Sequence, residues 1–122
     1  MTKIIETLKV IVENEFSDIL LSPPEIIKGK LHVVLKDHSF VEIRYPLKTD
    51  YSFHWHREKG SIRVNTAPHF KDMKTYPRHI HNGEKVEEDT ITDLKNTPEV
   101  NTRNFFTWAR EKLKHSLQPG SP

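Results

Sequence analysis

Cysteine is absent from the 122 residues. Thiolate nucleophiles, disulfides, zinc ribbons and iron–sulfur clusters are therefore excluded as sources of chemistry or stability. A chain without thiols fits a reducing cytosol, the expected location. Glycine is scarce, with four residues at 29, 60, 83 and 120, and none opens a phosphate-cradling loop. No serine stands in a Gly-x-Ser-x-Gly elbow. No apolar run approaches the ~20 residues of a membrane span, so a membrane is not an expected partner. The opening segment, MTKIIETLKVIVENEF, has acids inside its apolar stretch and no small-residue cleavage site. It is expected to be a structural helix and not a signal peptide. Charge of one sign is also missing: 19 Lys+Arg against 17 Asp+Glu leave a net +2. Nucleic-acid binding would have to come from a local patch.

What is present is a modest apolar complement, 34% against 30% charged residues. This suits one domain with a thin core, expected over residues 1–117, with 118–122 as a frayed tail. A chain this short buries a limited share of its surface, so a homodimer would add to its stability. Ile4, Ile5, Leu8, Ile11, Val12, Phe16, Ile19 and Leu20 recur at helical spacing. Thr2 is the expected cap of that helix, with Glu6 in its first turn. Asn14 or Ser17 interrupts it, and Ser22-Pro23-Pro24 forbids continuation.

Four period-2 segments follow, around Leu31–Lys36, Phe40–Tyr45, Tyr51–His56 and Ile62–Asn65. Short turns join them, including Arg57–Gly60, while Pro46–Asp50 reads as a loop. The pattern predicts a four-stranded antiparallel meander. Leu31, Val33, Leu35, Val41, Ile43, Tyr45, Tyr51, Phe53, Trp55, Ile62 and Val64 share the core face. His32, Glu42, Arg44, Ser52, His54, His56, Arg63 and Asn65 share the other. Residues 67–96 read as loops, with a short helical turn over Thr90–Leu94. The last helix starts with Thr97 as its cap and Pro98 in its first position. Val100, Phe105, Trp108, Ala109 and Leu113 form its apolar stripe. The fold class is α+β, with one face of the meander covered by the N- and C-terminal helices.

Histidine is abundant. Five of the eight, His54, His56, His69, His79 and His81, fall in the middle of the chain. The densest stretch runs Asn65-Thr66-Ala67-Pro68-His69 and then Pro77-Arg78-His79-Ile80-His81. Three uses fit it. A metal would take imidazoles from His79-x-His81 with His69 or His54, but no acid stands at ligand spacing. RNA cleavage needs a base for the 2′-hydroxyl, an acid for the 5′-oxygen and a cation for the phosphorane, and histidine serves both proton roles. Arg63, Arg44 or Arg78 would grip the phosphate. Tyr76, Tyr51 or Trp55 would stack bases, although alternation places the last two in the core. The third use is binding without catalysis, of a partner protein or a nucleic acid.

Tyr51-Ser52-Phe53-His54-Trp55, Asn65-x-Ala67-Pro68-His69 and Tyr76-Pro77-Arg78-His79-x-His81 resemble, in order and spacing, the TumE-like toxin family over roughly residues 16–95. The acidic stretch after His81 is similar too. The resemblance implies the toxin half of a toxin–antitoxin pair, neutralised by a helix-turn-helix antitoxin, and by fold analogy a small α+β ribonuclease. This chain departs from the family at three places: Asn65-Thr66 replaces Asp-Asn, Phe70 replaces a second His, and Arg78 replaces a His. The expected catalytic residues are His69, His79, His81 and His54, with Arg63, Arg78, Asn65 and Tyr76 binding RNA and no obligatory metal or other cofactor.

Overall fold

The computed structural model describes residues 3–117. Helix α1 spans Ile4–Glu15, and Lys3 precedes it in the capping position. Glu6 accepts a hydrogen bond from the Lys3 N–H at 3.4 Å. Thr2, the expected cap, lies outside the described residues, as does the expected tail at 118–122. A single 3₁₀ turn, Ser17–Ile19, follows. The strands are β1 (Glu25–Ile27), β2 (Lys30–Val34), β3 (Phe40–Leu47), β4 (Asp50–His56), β5 (Ile62–Asn65), β6 (His79–Asn82) and β7 (Lys85–Glu88), before helix α2 (Pro98–Leu117).

All seven strands form one antiparallel sheet in sequence order. The α+β class holds, and the expected four strands are β2 to β5. The correction is β1 at one edge and the β6–β7 hairpin at the other, inside the stretch read as loop. A two-residue turn joins β6 to β7, with Gly83 at its first central position and φ +62°. That geometry matches the twist of the flanking strands and suits glycine. Lys28 and Gly29, with φ +51° and +80°, make the equivalent turn between β1 and β2. The Pro46–Asp50 loop shortens to a turn, because β3 runs to Leu47 with a register shift after Arg44. No helical turn forms over Thr90–Leu94.

The core face is as alternation assigns it. Leu31, Val33, Val41, Ile43, Tyr51, Phe53, Trp55 and Val64 are all buried, joined by Ile80 of β6. Ile5, Leu8, Ile11 and Val12 of α1 and Phe105, Phe106, Ala109 and Leu113 of α2 complete the same cluster. Phe53 stacks on Phe105 at 4.8 Å. Phe106, not Val100, belongs to the α2 stripe, and Val100 is exposed. Thr97 caps α2 as expected, its Oγ1 accepting from the Val100 N–H at 3.2 Å. The buried tyrosine hydroxyls are paired, Tyr51 with Thr92 at 2.6 Å and Tyr45 with the Asn101 amide at 3.1 Å. Burial pushes both phenols up, Tyr45 to about 12. Tyr51 and Trp55 are thus core residues and offer no face to a base.

Candidate active site on the polar face

Both helices lie on one side, so the other side of the sheet is left to its polar residues. Antiparallel register sets these side by side, because directly opposed residues project to the same face. Glu25 pairs with His32, His32 with Glu42, Glu42 with His54, His54 with Arg63, Arg63 with His81, and His81 with Val86. One row thus crosses the whole sheet and sets Arg63 between two imidazoles. The neighbouring row holds Ser52, Asn65 and His79.

The Arg63 guanidinium donates to His54 Nδ1 at 3.0 Å. His54 is therefore the tautomer with its proton on Nε2. Burial, then the Arg63 charge, then His56, push its pKa down to about 4. The His56 ring lies close by, tilted against that of His54 with centroids 3.7 Å apart, and its Nε2 meets Glu42 Oε1 at 3.0 Å. Phe40 stacks on the other side of His56 at 4.4 Å. A depression of about 310 Å³ opens over the Glu42, His54 and Arg63 stretch of this row, lined among others by Lys30, Ser52 and Asn65 and not by His69, His79 or His81. Arg44 borders it and is paired with Asp50 at 2.5 Å. A larger hollow, about 740 Å³, lies between the β2–β3 and β4–β5 turns, and of the five central histidines only His56 lines it.

The His79-x-His81 pair is not in a solvated loop, as its setting among the apparent loops of 67–96 suggests. It is on β6. His79 is fully buried, while His81 keeps part of its surface. His79 Nδ1 lies 3.1 Å from the Pro77 carbonyl, and its Nε2 lies 3.0 Å from His81 Nε2. The Phe70 ring closes over both, edge-on, at 4.7 and 5.9 Å. Burial first, then His79, Arg63 and His69, hold the His81 pKa below its ordinary value.

The remaining expected residues divide. His69 is exposed on the loop before β6, beside Phe70. Asn65 shapes that loop, its Oδ1 accepting from the Ala67 N–H at 2.7 Å. Tyr76 is exposed and does not line the depression. Arg78 is engaged elsewhere: it pairs with buried Asp89 at 3.2 Å and donates to the Asp89 and Thr92 carbonyls. Its task is to tie β6 to the segment that leads into α2. Breaking such a buried pair from one side typically costs ~3–5 kcal/mol. Arg78→Ala is therefore expected to lower the urea unfolding midpoint steeply. A variant that loses activity at unchanged midpoint would return Arg78 to phosphate binding.

Glu42, His56 and Lys30 border the site without having been among its expected members. Alternation puts Glu42 on this face, but only the β3–β4 register sets it against His54. Among the described residues no group of three or more His, Asp or Glu can hold a metal ion.

His54 also makes a stability prediction. Its pKa is about 4 in the folded chain against an ordinary 6.5. Between those values the unfolded chain binds the extra proton, so stability present above 6.5 is lost as pH falls toward 4. Urea midpoints at pH 7 and pH 5 should differ less for His54→Gln than for the unaltered chain. An equal drop in both proteins contradicts the assignment.

The family model described as toxin TumE matches residues 1–113. No curated protein matches the chain, and no solved structure does. No helix among the described residues is long and apolar enough to cross a membrane. The match takes in α1, the whole sheet with its imidazole row and most of α2, well beyond the central motifs, and on that span the chain belongs to the TumE toxin family, the toxin side of a toxin–antitoxin system with an antitoxin for a partner.

Proposed function

We propose that the toxin is a ribonuclease that cleaves single-stranded RNA on the polar face of its sheet, without an obligatory metal, and that the antitoxin is a helix-turn-helix protein. The observation that carries this reading is Arg63 standing in register between His54 and His81. A planar cation flanked by two imidazoles matches a phosphodiester flanked by a base and hydrogen-bond donors. Arg63 grips the phosphate, and neutral His54 donates to it from Nε2–H. His81, kept neutral by burial, takes the 2′-hydroxyl proton. The 2′-oxygen bonds to phosphorus and the bond from phosphorus to the 5′-oxygen breaks. The leaving oxygen takes its proton from His69, exposed on the loop before β6. The products are a 2′,3′-cyclic phosphate and a free 5′-hydroxyl. Glu42 is the carboxylate in register with His54 on this face, where the family's Asp is replaced at Asn65-Thr66.

Purified chain, prepared without a His-tag, should cleave RNA in the presence of chelator, with a bell-shaped dependence of rate on pH. Elemental analysis should find no stoichiometric transition metal. One tightly held ion per chain, with activity lost in chelator, would favour a histidine-ligated metal hydrolase instead. RNA retained but never cut would favour a binding protein.

A further inference from the structure

The two imidazoles of β6 are not equivalent, and their geometry assigns them different tasks. A carbonyl oxygen only accepts, so the His79 nitrogen facing Pro77, Nδ1 at 3.1 Å, carries a proton. Full burial of the ring, with no acid bonded to it, disfavours a bare charge there. Its second nitrogen, Nε2, is then a lone pair. That lone pair faces His81 Nε2 at 3.0 Å. The proton between the two rings must therefore belong to His81. With Nε2 protonated, neutral His81 has its free lone pair on Nδ1.

We propose that His79 is a positioning residue: it locks His81 in the Nε2–H tautomer and so presents His81 Nδ1 as the atom that takes the proton from RNA. This inference rests on the ribonuclease reading and names its base to the atom. When Nδ1 gains the proton, His81 becomes an imidazolium whose Nε2–H still donates to His79. The developing charge then has a fixed acceptor that needs no rearrangement. The part is played elsewhere by a buried carboxylate, and here by a neutral imidazole. Phe70 supports it by covering both rings at 4.7 and 5.9 Å, which keeps water from competing for the shared proton. The other polar groups around the pair are Arg63 and Asn65 from β5, Glu88 from β7 opposite His79, and His69 from the preceding loop. None is hydrogen-bonded to His79, whose two ring nitrogens are both occupied.

The test is long-range ¹H–¹⁵N correlation spectroscopy of the ring nitrogens in the intact chain at neutral pH, paired with cleavage kinetics. His79 should show its proton on Nδ1 and His81 on Nε2. In His79→Gln the amide oxygen still accepts from His81 Nε2–H, so the His81 tautomer and most of kcat should persist. In His79→Leu the acceptor is gone. The His81 signals should then report mixed tautomers, and kcat should fall on the order of 10²-fold with KM unchanged, a share of what a positioned base contributes. Should the leucine variant not fold, the unaltered chain and the glutamine variant still decide. Active enzyme with the His79 proton on Nε2, or a glutamine variant as impaired as the leucine one, overturns the positioning role and leaves the ribonuclease reading standing. Unaltered chain that cleaves no RNA overturns both, whatever the tautomers.

Discussion

Replacing His81 by alanine should release a host from growth arrest while leaving the protein folded. Expression of the unaltered toxin without its antitoxin should stop growth and leave cellular RNA cut. His81 is on β6 with part of its surface in solvent, and its neighbours in the register are Arg63 and Val86. Its loss removes a proton acceptor from the polar face and little from the core. A positioned acid or base typically contributes ~10²–10⁴ in rate. A small stability change at a half-exposed site cannot imitate a loss of that size. Single replacement of His81 is the cleaner variant, because His79 is fully buried and its removal disturbs packing. His115→Ala, at an exposed position near the end of α2, should leave arrest intact. Arrest that survives His81→Ala, or whole RNA in arrested cells, ends the ribonuclease reading and leaves a toxin that acts by binding.

Phe53→Ala should cost about 3–5 kcal/mol of stability, the usual penalty for emptying an aromatic site in a core. The side chain is fully buried, stacked on Phe105 and edge-on to both Tyr45 and Tyr51. It therefore joins the sheet to α2 and to the two buried tyrosines at once. Against a total of ~5–15 kcal/mol, such a loss threatens the fold at physiological temperature. His56→Ala, three positions on and on the other face, gives up a part-exposed contact with Glu42 and the stack on Phe40. That change should cost ~1 kcal/mol or less. Urea midpoints of the two variants measure the difference. Equal losses contradict the register of β4, and with it the row that brings Arg63 between His54 and His81.

Local pattern alone decided much of this protein. Period 2 sorts Phe53 and Trp55 from His54 and His56 because a pleated strand sends alternate side chains to opposite faces. Thr97-Pro98 announces α2 because a side-chain oxygen and a residue without an N–H satisfy the helix's unpaired first turn. The polar face over the four expected strands, with His54, His56 and Arg63 on it, was legible on the same grounds. The β6–β7 hairpin was not. Ile80 is the sole apolar residue of β6, and β7 reads Lys-Val-Glu-Glu, so hydrophobic alternation is nearly silent there. The two-residue turn at Gly83 was the available signal. What makes β6 a strand is pairing with β5, a contact between distant parts of the chain. That pairing buries His79, sets its Nε2 against His81 and carries Arg63 into register with both sides of the row. Arg78 was beyond local reading for the same reason: its partner Asp89 arrives only when the segment after β7 folds back. Sequence determined which residue types face solvent and which face the helices. Tertiary structure decided which imidazoles touch, which cation stands between them and which arginine is spent on holding the fold. Those are distances between strands, and only register sets them.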